Sequence, residues 1–407
     1  MQIRLSLAVA AGAFAGKLSR LARRGRGVII SGRVTLAIDP DALRKLARNR
    51  LVVLVSGTNG KTTTSHLLAA AFATGGRVAA NRSGANMPDG LVAALSRDRQ
   101  APVAVLEVDE PHLPQVVDAV DPAAVVLLNL SRDQLDRVGE VHRLEARLRR
   151  ALAGPPTTLV VANADDVLVT SAAWDAPRTL WVGAGAPWDQ DGRICPRCAE
   201  PVRWYDGSWS CTCGLSRPVA GWALDEDKVL TPDDRRLPLD LALPGRANRA
   251  NAVMALATAC ALGVDAEAAL AAIGDVAEVN GRYRTVDRRG RAVRLLLAKN
   301  PAGFAETLTL LDDLPGPVVV AVNSREADGR DVSWLWDVPF ERLRGRHLVA
   351  CGDRADEVAT RLLYAEVDHH TVADPRRALD GLRPGPAVLV ANYTAFRDAA
   401  RALDRAA

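Results

Sequence analysis

The stretch LVVLVSGTNGKTTT, residues 51–64, decides the fold class of this chain. Its first five residues are apolar and mostly β-branched, which predicts a strand buried on both faces of a parallel sheet. A loop with two glycines follows, and residues 62–74 then carry the pattern of a helix. A strand, a glycine-rich loop and a helix in this order indicate a doubly wound α/β domain.

The loop itself, SGTNGKTTT at residues 56–64, has the residue types that a polyphosphate site requires. Glycines allow backbone N–H groups to turn toward phosphate, and the helix N-terminus adds positive potential. Lys61 would contact the terminal phosphates, and the hydroxyl of Thr62 would bind Mg²⁺. An ordinary glycine-rich turn is the simpler alternative, but the order of all these features favours an ATP site.

The rest of the chain continues the alternation of strands and helices. Further buried strands are predicted over residues 103–108, 123–130 and 159–163. Residues 184–240 interrupt the rhythm, because they are rich in Gly, Pro, Trp and Cys, and they indicate a small insert. A second, smaller α/β unit begins near residue 284, with strand candidates over residues 295–298, 318–322, 348–351 and 387–391.

Four of the six cysteines fall within 19 residues of that insert. Pairs of thiolates on tight turns form tetrahedral Zn²⁺ sites, and four sulfur ligands leave no open position, so the metal would be structural. Two disulfides are the alternative interpretation, and a DNA-reading ribbon is a bolder one. Cys260 and Cys351 are interpreted as core thiols. The predicted zinc ligands are Cys195, Cys198, Cys211 and Cys213.

These segments predict three parts with distinct roles. The first is a basic helical segment, and the second is a central ATP-binding domain with a mostly parallel sheet and a zinc-ribbon insert at about residues 190–217. The third is a smaller α/β domain. The three parts cover residues 1–48, 49–285 and 286–407.

Composition excludes several classes of protein. The 407 residues are 48% hydrophobic and 25% charged, which is typical of a folded globular chain. The net charge is only +4, so nucleic acid is not expected as a partner. No run approaches the length of a membrane span, and a cytoplasmic location is expected.

The N-terminus is basic and partly apolar. Residues 1–16 have some features of a signal peptide, but the basic residues that follow at 17–24 favour an amphipathic helix. Such a helix is a candidate for contact with the inner face of the cytoplasmic membrane.

Several motifs, taken together, resemble the Mur ligase and folylpolyglutamate synthetase superfamily. They are the GTNGKTT loop, the segments at residues 129–137 and 163–166, the GxxNxxN motif at 245–251 and the Gly-Arg pair at 281–282. The resemblance implies that Glu107 binds Mg²⁺, that Asn251 contacts adenine and that Arg282 approaches the phosphates. The implied ATP-binding residues are Gly57, Thr58, Asn59, Gly60, Lys61, Thr62, Thr63, Asn251 and Arg282. The simpler interpretation of Glu107 is a plain carboxylate at the end of a strand.

Two departures from that superfamily carry information. Gln134 stands where the superfamily has a metal-binding histidine, and the helix predicted over residues 140–153 contains no lysine. The carbamylated lysine of amino-acid-adding Mur ligases therefore has no counterpart there. Both changes argue against an amino acid bound as co-substrate in the usual way.

A narrower resemblance is to the MurT family, the Mur-ligase-like subunits of glutamine-hydrolysing lipid II isoglutaminyl synthases. It rests on residues 84–87, 132–137, 299–303 and 327–331 together with the phosphate loop and the four cysteines. It implies ATP-dependent amidation of the D-Glu α-carboxylate of the lipid II stem peptide through an acyl phosphate. It also implies a heterodimer with a GatD-type glutaminase subunit that supplies ammonia.

In that family the ligase subunit lends an aspartate to the glutaminase, and the matching position here is Asp331. Asp328 and Asp337 are local competitors, with turn capping as their simpler role. Trp334 and Trp336 are candidate interface anchors, and a tryptophan-anchored surface loop is the alternative.

Two other functions stay open from the sequence. An amino-acid-adding Mur ligase or a folylpolyglutamate synthetase would share the phosphate loop. A zinc-ribbon NTPase that binds nucleic acid belongs to a different class, and the near-neutral charge counts against it.

Overall fold

The computed structural model describes residues 2–22, 27–81, 84–133, 141–154, 156–279, 283–288, 291–312 and 314–404. The chain divides into two compact units. The first comprises Met1–Leu130, Val141–Leu243 and Ala247–Ala277. The second comprises Ser131–Glu140, Pro244–Arg246 and Glu278–Ala407.

The first unit is built on one mixed sheet. Its strands are β1 Leu51–Ser56, β2 Val78–Ala80, β3 Val103–Glu107, β4 Ala124–Leu127, β5 Leu159–Asn163, β6 Thr179–Gly183, β9 Trp222–Asp225, β10 Lys228–Leu230 and β11 Arg236–Pro238. Within the described residues the strand order is β11-β10-β9-β6-β5-β4-β1-β3-β2. The seven neighbouring strands β2, β3, β1, β4, β5, β6 and β9 pair in parallel, while β10 and β11 pair antiparallel at one edge. A separate hairpin is formed by β7 Arg203–Tyr205 and β8 Ser208–Ser210.

Helices cover this sheet, as the predicted α/β class requires. They are α1 Gln2–Leu21, α2 Val28–Ile38, α3 Ala42–Ala47, α4 Lys61–Ala73, α5 Pro88–Arg97, α6 Leu113–Val120, α7 Val141–Leu152, α8 Val167–Ala173, α9 Arg246–Ala261 and α10 Ala266–Gly274. No helix in the described part of the chain is long and apolar enough to cross a membrane.

Strand β1 lies inside the sheet, between β4 and β3, and both of its faces are apolar. Val52, Val53, Leu54 and Val55 are each almost completely buried, so the predicted two-faced burial is confirmed. The register places Val55 beside Glu107 of β3 and Ser56 beside Leu127 of β4. The carboxyl ends of these three parallel strands therefore meet at one edge, where α/β proteins bind ligands.

The insert is smaller than the sequence suggested. Residues 222–238 form β9, β10 and β11, which extend the main sheet from β6. The prediction that the insert reaches residue 240 is therefore wrong for that part. These strands have three or four residues each and carry charged side chains near a sheet edge, so they lack the apolar runs that revealed the central strands.

The second unit is also α/β. Its strands are β12 Tyr283–Arg288, β13 Arg291–Leu297, β14 Val318–Ala321, β15 Leu348–Cys351, β16 His369–Thr371 and β17 Ala387–Ala391. Its helices are α11 Pro301–Asp312, α12 Ala355–Tyr364, α13 Pro375–Gly381 and α14 Tyr393–Asp404. The strand order within the described residues is β12-β13-β17-β14-β15-β16, parallel except for β12 against β13. The predicted domain boundary between residues 285 and 286 falls inside β12.

Both faces of this second sheet are buried. In β14, Val318 and Val320 face one apolar cluster, whereas Val319 and Ala321 face the other. This alternation follows from the two-residue period of a strand. The four strands predicted for this unit are confirmed, with bounds that differ by a few residues.

Two glycines allow close helix packing near the N-terminus, Gly12 of α1 against α2 and Gly32 of α2 against α5. A Cβ atom added to Gly12 would lie 2.2 Å from the hydroxyl oxygen of Thr35, and one added to Gly32 would lie 1.8 Å from the carbonyl oxygen of Asp89. Leu5 joins the core cluster of the first unit. Helix α1 is therefore packed against this unit along one of its faces.

Candidate functional site

The phosphate loop lies between β1 and α4, and its backbone requires glycine. Gly57 and Gly60 have φ angles of 137° and 85°, which strain residues with a Cβ atom. A Cβ atom added to Gly60 would lie only 2.4 Å from Oδ1 of Asn251. Helix α4 begins at Lys61, so the unshared N–H groups of its first turn lie next to the loop. This is the backbone geometry of an anion cradle.

Lys61 is buried at the start of α4. Its ammonium nitrogen donates to the carbonyl oxygen of Gly57 at 2.7 Å and to Oε2 of Glu110 at 2.7 Å, and Oδ1 of Asp109 lies 3.6 Å away. Burial opposes its charge, but the carboxylates of Glu110, Asp109 and Glu107 outweigh burial and raise the pKa of Lys61. The side chain is thus a fixed cation beside the loop.

The hydroxyl of Thr62 and the carboxylate of Glu107 face each other at 2.8 Å. The other carboxylate oxygen of Glu107 accepts from Nδ2 of Asn86 at 3.2 Å. A hydroxyl and a carboxylate are the hard oxygen donors that Mg²⁺ takes in nucleotide sites, so the pair fits the metal expected there. Thr63 is also buried in the first turn of α4.

Sequence reasoning missed three residues that support the loop. Asn129 accepts from the N–H of Asn59 at 2.8 Å through Oδ1 and donates back to its carbonyl at 3.0 Å. Asn81 makes the equivalent pair of bonds with the backbone of Glu107, at 2.8 Å each. Glu110 is the partner of Lys61. Asn129 begins a motif already noted, whereas the other two carry no motif that could have singled them out.

Of the residues expected to contact the rest of the nucleotide, Asn251 is described and Arg282 is not. Asn251 lies in α9 with its amide against Gly60, so the structure brings it to the phosphate loop. Arg282 lies outside the described residues, as does Gln134, which replaces the superfamily's histidine. Helix α7, which follows, contains no lysine over Val141–Leu152.

The four predicted zinc ligands converge. Their sulfur atoms all lie within 4.8 Å of one another, with Cys198 and Cys211 at 3.3 Å and Cys195 and Cys213 at 3.7 Å. Four thiolates bound to Zn²⁺ at about 2.3 Å would be separated by about 3.8 Å, so the cluster fits a tetrahedral ion. Burial raises the pKa of Cys195 to about 12, and a bound metal would reverse that effect by favouring the thiolate.

The cysteine insert packs against the ATP-binding sheet through α8. Val167 of α8 shares a small apolar cluster with Trp209 and Leu215 of the insert. The Arg197 guanidinium, between two of the cysteines, donates to the carbonyl oxygen of Ser171 at 2.9 Å and to Asp175 at 2.8 Å. The insert is therefore held in place by side chains that lie close in sequence to its four cysteines.

The second unit separates the three candidate aspartates by environment. Asp328 is buried and accepts from the backbone N–H of Thr394 at 2.8 Å. Asp337 pairs with Arg132 at 3.3 Å. Asp331 is exposed and accepts from the N–H of Ser333 at 2.8 Å. That backbone hydrogen bond, together with one from the Ser333 side chain, lowers the pKa of Asp331, so the group is a carboxylate at neutral pH.

The two tryptophans after Asp331 differ. The ring of Trp334 lies 5.3 Å from that of Phe304 and packs against the core of the second unit. Trp336 is 54% exposed and stacks edge-on with Tyr364 at 5.2 Å. Trp336 is therefore the better candidate for an interface anchor, and Trp334 has a packing role.

A small polar pocket adjoins Asp331. Lys299 forms an ion pair with Asp133, and the side chain of Asn300 caps the start of α11 by accepting from the N–H of Gly303 at 2.8 Å. The pocket is lined by Arg132, Asp133, Lys299, Asn300, Pro301, Asp328, Asp331, Ser333, Trp334 and Asp337.

Comparison with known proteins agrees with this geometry. Residues 55–187 match the Mur ligase middle domain, and residues 297–396 match the MurT ligase C-terminal domain. The chain is 30% identical over 426 residues to the lipid II isoglutaminyl synthase (glutamine-hydrolyzing) subunit MurT of Staphylococcus aureus strain N315, covering 96% of each chain. It is 32% identical to the subunit of that name from Streptococcus pneumoniae, covering 88% of this chain and 87% of that one.

A solved structure shares the fold at lower identity. The pseudomurein peptide ligase type C from Methanothermus fervidus superposes with a TM-score of 0.69 at 19% identity, over 88% of this chain and 79% of that one.

A Mur-type phosphate loop on this sheet, followed by a second α/β unit, defines an ATP-dependent ligase of the Mur ligase superfamily. Members of this superfamily use ATP and Mg²⁺. Similarity at 30% identity or more over nearly the whole length then narrows the assignment. The chain belongs to the MurT family.

Proposed function

We propose that this chain is the amide-forming subunit of a lipid II isoglutaminyl synthase. Its substrate is the α-carboxylate of the D-Glu residue in the lipid II stem peptide, and its product is D-isoglutamine. The observation that carries the proposal is the near-full-length similarity to two subunits of that name. The phosphate-loop geometry supports it, because amide formation from a carboxylate requires activation by ATP.

The reaction has two balanced steps. A carboxylate oxygen attacks the γ-phosphorus of ATP, the bond to the bridging oxygen of ADP breaks, and an acyl phosphate forms. The nitrogen of ammonia then attacks the acyl carbon, the bond to phosphate breaks, and ammonia loses a proton. The protein's contribution to the first step is positional and electrostatic.

The ATP-binding residues divide this work. The backbone of residues 57–60 cradles the phosphates, and Lys61 neutralises charge on the transferring group. Thr62 and Glu107 would hold Mg²⁺, which would supply positive charge to stabilise the transferring phosphoryl group. The resemblance to the superfamily assigns the adenine contact to Asn251 and a phosphate contact to Arg282, which lies outside the described residues. The cradle comprises Gly57, Thr58, Asn59 and Gly60, and Thr63 completes the proposed set.

Ammonia fits the second step better than an amino acid. The lysine that amino-acid-adding Mur ligases carbamylate has no counterpart in α7. The source of ammonia would be a GatD-type glutaminase in a heterodimer. A glutaminase cysteine needs a histidine base, and that histidine needs an acceptor to orient it. Asp331 is exposed and ionised, which suits that acceptor role in trans.

The four cysteines serve the fold under this proposal. Four sulfur ligands close the coordination sphere of Zn²⁺, so the ion would stabilise the insert and take no part in the chemistry. The insert has few basic residues, which counts against a nucleic-acid partner. The lipid-linked substrate would place the enzyme at the inner face of the cytoplasmic membrane.

Product analysis tests the proposal. Purified chain is incubated with lipid II, ATP, Mg²⁺ and ammonium chloride, and the stem peptide is analysed by fragmentation mass spectrometry. Conversion of the D-Glu α-carboxylate to an amide is expected. Parallel reactions with amino acids in place of ammonium test the alternative of an amino-acid-adding ligase. Addition of an amino acid residue without amidation would contradict the proposal.

A further inference from the structure

Helix α1 exposes a stripe of large apolar side chains. Ile3, Leu7, Phe14, Leu18 and Leu21 are 78%, 63%, 64%, 50% and 80% exposed. At the 100° per residue of an α-helix these five positions fall within about 60° of one another. Nothing else in the described chain gathers five such residues on one helix face.

The stripe is a feature of a folded helix. The opposite face of α1 is buried, where Leu5 and Ala8 are at most 7% exposed and Gly12 and Gly16 pack on α2. Helix α2 adds exposed Ile29 and Ile30 close to the end of α1. Packing of the opposite face of α1 therefore keeps the stripe directed toward solvent.

The same segment is strongly basic. Residues 1–38 contain seven Lys and Arg and no Asp or Glu, and the first acidic residue is Asp39. The whole chain has a net charge of +4, so the remaining residues sum to −3. Arg4 donates to the carbonyl of Ile38 and Arg33 pairs with Asp89. The other basic residues are Lys17 and Arg20 of α1, which are exposed, and Arg23, Arg24 and Arg26 beyond it.

We propose that α1 is a membrane-docking helix that lies in the headgroup region of an anionic bilayer with this stripe facing the acyl chains. An exposed apolar stripe and a cluster of cations are the two features that set the strength of helix binding to an anionic bilayer. A second copy of the chain is disfavoured as the occupant, because pairing two α1 helices would bring together two segments of +7 each. This inference does not depend on the proposed reaction.

Vesicle flotation tests it on the full-length chain. Vesicles contain phosphatidylcholine with or without about one-third phosphatidylglycerol, a fraction large enough to give a negative surface. The stripe variant is Phe14→Gln with Leu18→Gln, and the charge variant is Lys17→Gln with Arg20→Gln. Val219→Gln is the matched control, because Val219 is 91% exposed but lies in the first unit far along the chain from α1. Circular dichroism checks that each variant is folded.

The wild type and the Val219 control should float with anionic vesicles. The stripe variant should lose binding by about tenfold or more. The charge variant should bind less and show a weaker salt dependence, because it lacks two of the seven basic residues of the segment. Equal flotation of stripe variant and wild type, or no flotation of wild type, would overturn the proposal. Two further results would overturn it. One is a wild-type dimer that the stripe variant abolishes, and the other is loss of vesicle binding when the glutaminase subunit is added. In either case another protein would cover the stripe.

Discussion

The ammonium nitrogen of Lys61 lies 2.7 Å from Oε2 of Glu110, and both side chains are buried. The positive charge that would neutralise a polyphosphate is therefore compensated by a carboxylate of the protein itself. Polyphosphate and Glu110 would compete for the same cation. Glu110 is thus the counter-ion of Lys61 at the phosphate loop, and no sequence motif predicted this role.

Lys61→Ala tests the loop assignment. Removal of the cation should lower ATP turnover by about a hundredfold or more, because it takes away charge stabilisation needed in the transition state. The fold should persist, as judged by circular dichroism. Lys228→Ala, which changes an exposed lysine in β10, should keep full activity. Near-normal ATP turnover in folded Lys61→Ala would show that the loop is not the catalytic phosphate site.

Glu110→Gln should tighten nucleotide binding. The substitution removes the carboxylate that competes with phosphate, and it leaves the buried charge of Lys61 less compensated in the empty site. The dissociation constant of ADP, measured by calorimetry without Mg²⁺, should fall by about threefold to tenfold. Asp109→Asn should have a smaller effect, because Asp109 is 3.6 Å from Lys61. Weaker binding by Glu110→Gln, seen only with Mg²⁺ present, would instead indicate a contact with the metal.

The cysteine cluster should hold about one Zn²⁺ per chain, which elemental analysis of purified protein measures directly. Cys211→Ser should reduce the zinc content strongly and lower the thermal stability of the insert, because the ion ties together the two turns. Cys260→Ser changes a thiol outside the cluster and should keep the metal. Zinc-free protein with four reactive thiols in the insert would refute the site.

Stability should depend on pH through Asp166. Burial raises the pKa of Asp166 to about 6, although backbone N–H groups of Val169, Leu130 and Leu168 oppose the shift. The folded chain then binds a proton more tightly than the unfolded chain, whose carboxyl has a pKa of 3.8. The corresponding stability is present below about pH 4 and is lost as pH rises through about 6, by up to about 3 kcal/mol.

Urea unfolding at several pH values measures this effect. The Asp166→Asn variant lacks the titrating group, so its stability should fall less between pH 4 and pH 6 than that of the wild type. Other titrating groups are common to both chains and cancel in the comparison. Identical pH dependence in the two proteins would contradict the raised pKa.

Much of the fold followed from apolar runs. Val52 to Val55 and Val318 to Val320 are buried on both faces, and such strands are legible because every residue is apolar. β9, β10 and β11 escaped notice because they lie at or near a sheet edge, where side chains meet solvent and the pattern disappears. The phosphate loop was predictable because its backbone admits only glycine at Gly60.

The parts of the site that were not predictable depend on tertiary proximity. Asn81 and Glu107 are 26 residues apart and meet only because β2 and β3 are neighbours in the sheet. The difference between Trp334 and Trp336 is likewise set by packing, since both lie in one short 3₁₀ turn over Ser333–Asp337. Local sequence does not specify which of them points inward.

The central claim is that this chain forms an amide with ammonia from a glutaminase that it helps to complete, and Asp331→Asn tests that claim most directly. Two rates of lipid II amidation are measured on the reconstituted heterodimer, one with glutamine and one with free ammonium. The variant should still form the complex and bind ATP. Glutamine hydrolysis and glutamine-dependent amidation should fall by about a hundredfold or more, because the histidine base loses its orienting carboxylate.

Amidation with free ammonium should stay within about twofold of wild type in the same variant, since the ATP site is untouched. Asp337→Asn serves as the local control, because that carboxylate pairs with Arg132. The predicted result is selective loss of the glutamine-dependent rate in Asp331→Asn. Equal glutamine-dependent rates in wild type and Asp331→Asn complexes would contradict the account.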